Sequence, residues 1–183
     1  MQKNRFPIQK AKNHPMKMLL PIFLLLPALA FGAGSLCESG EQILFSCGVG
    51  KGGKQVSLCG SRRLEKNLGY LQYRFGRPGK IELAFPAARE GSLEQFRYAH
   101  YFRFQVDRTA VSFANGGFRY SLFSSYDGEE KPAVQEEGVT VAQQGEPDKE
   151  SSLVCRKPVV SRLSQLEAVL PCDKDSDIAA CGD

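Results

Sequence analysis

The chain has 183 residues, and its 24 Lys and Arg against 20 Asp and Glu give a formal net charge of +4 at pH 7. Five of the basic residues lie within the first 30 positions, so residues 31–183 carry 19 basic and 20 acidic side chains and a net charge of −1. A domain with almost no net charge lacks the electrostatic footprint of a nucleic-acid-binding protein. We therefore expect no nucleic acid among its partners.

The first 30 residues predict an export signal. Five Lys and Arg residues precede an apolar run at 18–26, and Ala28-Leu29-Ala30 has the small residues of a signal-peptidase site. The apolar run is shorter than the roughly 20 residues that a membrane-spanning helix needs. We expect cleavage near Ala30 or Ala33, no transmembrane segment, and a single periplasmic or secreted domain at 31–183.

Two β-hairpins are predicted in the first half of this domain. Apolar residues alternate with others at 43–47 and again at 55–59, on either side of the glycine-rich stretch 48–53. The same alternation at 71–75 and 81–85 flanks a Pro-Gly turn. Each pair of segments predicts two antiparallel strands.

Five further strands are predicted in the second half, where aromatic and β-branched residues recur with period two. They cover 98–106, 111–114, 118–124, 138–142 and 152–155. No helical pattern precedes residue 160. The sequence therefore predicts an all-β fold, an antiparallel meander of about nine short strands that forms a small barrel or a sandwich.

One short C-terminal helix and two irregular segments complete the predicted domain. Ser161 or Ser164 is a suitable N-cap for one or two helical turns that Pro171 ends. Residues 86–92 lack a strand pattern, and so does most of 127–150, which is rich in acidic residues, Gly and Pro. We expect 127–150 to be a mobile acidic segment.

Six cysteines, all beyond the leader, predict disulfides formed in an oxidising compartment. Six thiols allow fifteen pairings. We expect one bridge across the first hairpin, one that closes the short polar tail, and one that joins the two ends of the domain. These pairs are Cys47 with Cys59, Cys172 with Cys181, and Cys37 with Cys155. No spacing matches the C-x-x-C of zinc sites, so we expect no metal.

Two short motifs resemble ligand-binding loops but lack essential parts. The stretch 48–54 fits G-x-G-x-x-G, yet a strand pattern follows where a phosphate-binding loop needs a helix. The stretch 173–177 has the spacing of a calcium loop, but Ile178 replaces its turn glycine. We expect a glycine turn, a polar tail and no cofactor.

Catalytic machinery is not evident in the sequence. His100 is the one histidine of the predicted exported domain, and no serine lies in a G-x-S-x-G motif. The glutamate pairs at 129–130 and 136–137 lie in a segment that looks solvated, with nothing to raise the pKa of one of them. We therefore expect a protein without enzymatic activity.

Two surfaces are candidates for binding a partner. The first is a basic aromatic face suited to an anionic glycan or lipid. Its candidate residues are Lys51, Lys54, Arg62, Arg63, Arg74, Arg103, Arg119, Tyr101 and Tyr120. The alternative for this region is a core face made of Phe96, Phe102, Phe104 and Phe113. The second surface is a contact loop in the acidic segment, with candidate residues Asp127, Glu129, Glu130, Glu136 and Glu137.

Four motifs are spread over most of the predicted domain. They are FSC at 45–47, KQVSLC at 54–59, GYLQYRFG at 69–76 and CDKDS at 172–176. With these motifs the chain resembles a recurrent family of small exported proteobacterial proteins, which implies export and a compact domain and transfers no active site. A disulfide-linked β domain is also similar in architecture to periplasmic lysozyme inhibitors, which are β-barrels that insert a loop into the enzyme's cleft.

The leading hypothesis is an exported binding protein, an inhibitor or immunity-type partner of an envelope or secreted enzyme such as a cell-wall hydrolase. The acidic segment would make the contact because a negatively charged loop suits a basic cleft. The alternative is an envelope module that binds anionic glycan or lipid through the basic aromatic face. A hydrolase that uses His100 is a third hypothesis.

Overall fold

A computed structural model describes residues 34–178 and shows an all-β fold. Nine strands and two single-turn 3-10 helices follow one another along the chain. They are β1 (Gln42–Val49), β2 (Lys54–Gly60), β3 (Leu71–Arg77), β4 (Lys80–Phe85), η1 (Ser92–Gln95), β5 (Arg97–Arg103), β6 (Val106–Asn115), β7 (Phe118–Asp127), β8 (Val134–Gln143), β9 (Glu146–Ser161) and η2 (Leu163–Leu166). The predicted antiparallel all-β fold is confirmed, and the predicted leader lies outside the described residues.

All nine strands belong to one antiparallel sheet in the order β4-β3-β2-β1-β9-β8-β7-β6-β5. The sheet curls into a half-barrel. It consists of two meanders, β1–β4 and β5–β8, and β9 lies between them. With 16 residues, β9 is long enough to pair with β8 near its start and with β1 near its end.

The concave side of the half-barrel holds the hydrophobic core. Strands alternate their side chains between two faces, and the concave face receives fully buried residues such as Phe45, Leu58, Val111 and Leu122. The predicted C-terminal helix is the single 3-10 turn η2, whose Leu166 is also fully buried in this core. Burying one such side chain contributes about 1.5 to 3 kcal/mol.

Residues 34–41 form an N-terminal arm across the convex side of β1–β3. The backbone N–H of Leu36 donates to Ser57 Oγ at 3.0 Å, and Ser46 Oγ donates to the Gly34 carbonyl at 2.9 Å. Both serines alternate with core residues and therefore face away from the core. The arm keeps them completely buried, so this half of the sheet is covered on both sides.

An ion pair joins Arg74 of β3 to Glu41 at the end of the arm, with side chains only 5% and 3% exposed. Arg74 Nη1 and Nη2 donate to the two Glu41 carboxylate oxygens at 2.6 and 2.9 Å. Its Nε and Nη2 also donate to Gln72 Oε1, and Nη1 donates to the Leu36 carbonyl. Burial raises the pKa of the Glu41 carboxyl, but hydrogen bonds from Arg74, the Glu38 N–H and Tyr70 bring it below the ordinary value.

The disulfides differ from the predicted pairs. They join the N-terminal arm to β2 and join β1 to β9, with sequence separations of 22 and 108 residues. The bonded pairs are Cys37 with Cys59 and Cys47 with Cys155. The predicted pairs Cys47–Cys59 and Cys37–Cys155 are therefore wrong. Cys172 is disulfide-bonded, and its predicted partner Cys181 lies outside the described residues.

The alternation of strand faces explains why the first hairpin does not carry its own disulfide. Cys47 lies opposite Val56 in the β1–β2 register, so these two residues share the concave face. Cys59 follows Val56 by three residues, an odd number, and therefore points to the convex face. Each sulfur meets a partner on its own side of the sheet, from β9 on the concave side and from the arm on the convex side.

Two predicted segment boundaries are wrong. The predicted strand 98–106 is interrupted by a two-residue turn, Phe104–Gln105, that contains neither Gly nor Pro. The predicted irregular segment 127–150 is mostly β8 and β9, and within it only 128–133 and 144–145 lie outside strands. Its polar side chains face solvent while its backbone pairs with β7, which composition alone does not reveal.

The chain after β9 covers part of the sheet edge at β5. The Tyr98 N–H donates to the Pro171 carbonyl at 2.9 Å, and the Asp173 N–H donates to the Tyr98 carbonyl at 2.7 Å. This short pairing partly shields β5 from pairing with another chain. Across residues 34–178, no helix has the length and apolar character needed to cross a membrane.

Candidate functional site

The turn between β5 and β6 presents two phenylalanines to solvent. Phe102 and Phe104 are 70% and 82% exposed, the highest values among the large apolar side chains of the described residues. We call these two residues the aromatic tip. The prediction that both belong to a core face is wrong, whereas Phe96 and Phe113 are buried as predicted. Large exposed apolar side chains in a group often mark an interaction site.

The exposure of Phe102 follows from where the core ends. Phe102 shares the concave face of β5 with the buried Tyr98, so the period-two pattern assigned its face correctly. Its neighbours along the sheet are Asp107 on β6 and Tyr126 on β7, and Tyr126 is itself 41% exposed. The ends of these strands therefore extend past the core, and the ring contact given for the tip within the described residues is that of Phe102 with His100, at 6.4 Å between centroids.

Polar contacts join the turn to the loop that follows β7. Arg103 donates through Nη1 and Nη2 to both Glu129 carboxylate oxygens, at 2.6 and 2.5 Å. The Gly128 N–H donates to the Gln105 carbonyl at 2.7 Å. The hydrogen bond to Arg103 holds the pKa of Glu129 below its ordinary value. A turn that is already ordered loses less conformational entropy when it binds.

The predicted acidic contact residues lie at the same end of the sheet as the aromatic tip, although β6 and β7 separate β8 from β5. Asp127 ends β7, Glu129 and Glu130 are in the loop that follows, and Glu136 and Glu137 are in β8. Some of these acids already have partners in the chain. Asp127 lies 3.8 Å from Arg108, Glu129 binds Arg103, and Glu137 accepts a hydrogen bond from Gln135 at 2.9 Å. The structure thus brings together the acidic segment and two aromatics that the sequence assigned to the core.

The predicted basic aromatic face is not one surface. Its residues lie in the β1–β2 turn, the β2–β3 loop and strands β2, β3, β5 and β7, and most of its cations bind acids of the chain. Arg74 is buried, so its assignment to a binding surface is wrong. Tyr120 stacks on Phe113 with ring centroids 4.8 Å apart, while Tyr101 is exposed. The paired cations are Lys54 with Glu82, Arg63 with Glu65, Arg74 with Glu41, Arg103 with Glu129, and Arg119 with Asp173. Lys51 and Arg62 are exposed, and Arg62 donates to the Gly40 carbonyl at 3.1 Å.

His100 lies near the end of the core, between two acids. Its Nε2 is 3.1 Å from Asp107 Oδ1, and its Nδ1 is 3.9 Å from Glu167 Oε1. Thr109 is its neighbour on β6. Among the described hydrogen bonds, the partner of His100 is Asp107, and none joins it to a serine, threonine or cysteine.

The two loop motifs have structural roles. The glycine stretch is the turn of the β1–β2 hairpin, where Gly50, Gly52 and Gly53 adopt positive φ values, and β2 follows it. Asp173, the first acid of the calcium-like stretch, is buried and accepts hydrogen bonds from Ser112 and Arg119. It anchors the C-terminal segment to the convex face of β6 and β7.

One group of described residues has the spacing of metal ligands. It comprises Cys37, Glu41 and Cys59, whose ligand atoms all lie within 4.8 Å of one another. Both sulfurs are joined in a disulfide, however, and the carboxylate already binds Arg74. Since a thiolate is needed to bind a metal, the oxidised protein does not offer a metal site here.

A cleft of about 610 Å³ lies at the other end of β5, and sequence analysis missed it. Its apolar wall includes Leu93 of η1 together with Val169 and Leu170, which follow η2. Four charged residues also line the cleft. Lys66 and Arg97 are basic, and Glu94 and Glu167 are acidic. Because it is formed by three segments distant in sequence, no local pattern could have revealed it.

Comparisons with known proteins give no match for this chain. A scan against family models matches none, and searches of curated proteins and of solved structures also find no match. A functional assignment therefore rests on the residues and geometry of the chain itself.

Proposed function

We propose that this protein is exported and binds another envelope or secreted protein, as an inhibitor or immunity-type partner of an enzyme such as a cell-wall hydrolase. The contact surface is the aromatic tip together with the acidic residues around the loop 128–133. The observation that carries the proposal is the pair of exposed phenylalanines on a turn fixed by hydrogen bonds. Clusters of aromatic side chains supply much of the energy at protein interfaces.

Charge indicates the kind of partner. The ends of β5–β8 and their two turns, residues 101–108 and 125–137, carry six acidic and three basic side chains. Acidic residues on one side of an apolar tip complement an apolar pocket bordered by cations, and they repel the anionic surface of a membrane. The cleft of an enzyme that acts on an anionic polymer has this basic character.

Export is supported by the bonding of the cysteines. The described residues contain two disulfides and no free cysteine. Such bonds form and persist in oxidising compartments. Together with the leader expected from the sequence, they favour the periplasm or the extracellular medium. The alternative role in binding anionic glycan or lipid is disfavoured because its cations are dispersed and largely neutralised by acids.

The test is an affinity capture with the mature, oxidised protein at low and at moderate salt, followed by identification of the retained proteins. The variant combines Phe102→Ser with Phe104→Ser. Phe118→Ser is the matched control, because Phe118 is 42% exposed at the opposite end of the sheet. We expect an enzyme that is retained by the wild type and the control at both salt concentrations, is lost with the tip variant, and loses activity when the wild type is added.

Two results would contradict the proposal. One is that every retained protein binds the tip variant as well as it binds the wild type. The other is that retention is confined to glycan or lipid and disappears as the salt concentration rises, which is the behaviour expected of the alternative.

A further inference from the structure

The aromatic tip and the cleft are complementary features at opposite ends of the same strand. Arg97, the first residue of β5, lines the cleft, and Phe104 follows the last residue of β5. Phe104 lies seven positions after Arg97, about 23 Å away at the rise of an extended strand. The tip therefore points away from the cleft of its own molecule and is free to enter the cleft of another.

We propose that this protein associates with itself head to tail, with the aromatic tip of one copy seated in the cleft of the next. The occupant of the cleft is thus a second copy of the same chain. This inference goes beyond the proposed function, because it concerns contacts between identical molecules and needs no enzyme. Contacts between two different surface patches produce chains or rings rather than a closed symmetric dimer.

The cleft has the chemistry to receive the tip. Leu93, Val169 and Leu170 form an apolar wall, and burying one Phe side chain removes about 150 to 250 Å² from water. Phe102 and Phe104 now leave most of their surface in water. Covering them in the cleft would bury the largest exposed apolar side chains of the described residues.

The lining of the cleft is itself neutral, with Lys66 and Arg97 against Glu94 and Glu167, and the positive charge comes from the loop beside it. The loop 61–70, which contributes Lys66 to the cleft, carries Arg62, Arg63 and Lys66 against the single acid Glu65. All three cations are exposed. The strand ends that include the tip, 101–108 and 125–137, carry twice as many acids as bases. Association of this kind is steered by opposite charges and weakens as salt is added.

The small size of the contact predicts weak association. Two phenylalanines bury about 300 to 500 Å² on the side of the tip, whereas each partner in a stable complex buries about 800 Å². We therefore expect monomers at low micromolar concentration and a growing fraction of dimers and longer chains as the concentration approaches millimolar.

Two complementary variants test the arrangement. The tip variant is Phe102→Ser with Phe104→Ser, and the cleft variant is Ala168→Glu, which places a negative charge at an exposed position in the cleft lining. Neither change alters a buried residue. The matched controls are Phe118→Ser and Ala88→Glu, both at exposed positions outside the cleft lining.

The measurement is the mass distribution of the mature, oxidised protein by sedimentation velocity across this concentration range, at low and at moderate salt. We expect the average mass of the wild type and of both controls to rise with concentration and to fall with salt. Each variant alone should stay monomeric. An equimolar mixture of the two variants should form dimers and nothing larger, because only one functional tip and one functional cleft remain.

Three outcomes would overturn the proposal. The wild type could remain monomeric over the whole range, the cleft variant could associate as the wild type does, or the mixed variants could fail to form dimers. None of these results would affect the proposed binding of an enzyme, since the tip would still be free for it.

Discussion

Replacing Arg74 with methionine should destabilise the fold because it removes the cation that faces the buried carboxylate of Glu41. Breaking one side of a buried ion pair typically costs about 3 to 5 kcal/mol. Arg89 Nη2, 3.3 Å from Glu41 Oε1, and the Tyr70 hydroxyl, at 3.0 Å, would remain as partial compensation. We therefore expect the lower end of that range, about 3 kcal/mol.

The assay is urea unfolding of the mature, oxidised protein at pH 7. With an m value of about 2 kcal/mol/M, a loss of 3 kcal/mol moves the midpoint down by about 1.5 M. The double variant Arg74→Met with Glu41→Leu should recover most of this loss, since apolar residues often replace a buried ion pair without net cost. Arg77→Met, at an exposed arginine of the same strand, is the matched control and should leave the midpoint almost unchanged.

The reasoning would be refuted if Arg74→Met cost less than about 1 kcal/mol, since the carboxylate would then not depend on its cation. It would also be refuted if the double variant were no more stable than the single one. In that case the loss would come from the packing of the arginine side chain and not from the uncompensated charge.

Three further predictions concern the same protein. The pKa of Glu41 is lower in the folded state than its ordinary value of 4.5. Its carboxylate therefore stabilises the fold above pH 4.5, and this contribution is lost as the pH falls through the folded-state pKa. We expect the urea midpoint to fall less between pH 6 and pH 3 in Glu41→Gln than in the wild type. Replacing both cysteines of the β1–β9 disulfide with serine should lower the free energy of unfolding by about 5 kcal/mol, because this bond closes a loop of 108 residues. The same change at the disulfide of the arm, whose loop spans 22 residues, should cost about 3 kcal/mol. A larger loss for the disulfide of the arm in chemical denaturation would contradict this. Phe104→Ser should change the free energy of unfolding by less than about 0.5 kcal/mol, whereas Phe113→Ala in the core should lower it by about 3 to 5 kcal/mol. Thermal unfolding measures both. If the two variants lost the same stability, Phe104 would be packed and not exposed.

The strands were predictable from the sequence because alternation is a local signal. Within each strand, the alternation of apolar residues shows which side faces the core, and this alternation assigned Phe102 to the correct face. What the alternation does not contain is the place where the core stops, which depends on residues of other strands. Phe102 and Phe113 therefore look equivalent in the sequence, although one is exposed and the other is buried.

The contacts that define the site were not predictable because their partners are distant in the sequence. In the sequence, Arg74 has the pattern of a surface cation. In the structure it is buried against Glu41, which lies 33 residues earlier in the chain. The wall of the cleft likewise combines η1 with the segment after η2. In a sheet whose last strand lies beside its first, such long-range contacts are the rule.

The position of β9 also determines when the protein can acquire its structure. In the described sheet, β9 is the strand that bonds to both meanders, and it is made last. Until it emerges from the ribosome, β1 and β8 each lack a neighbour, and no strand pairing of the described sheet joins the two meanders. Since Cys155 lies in β9, its bond to Cys47 can form only after synthesis has reached this last strand, and the bond then joins β9 to β1 covalently.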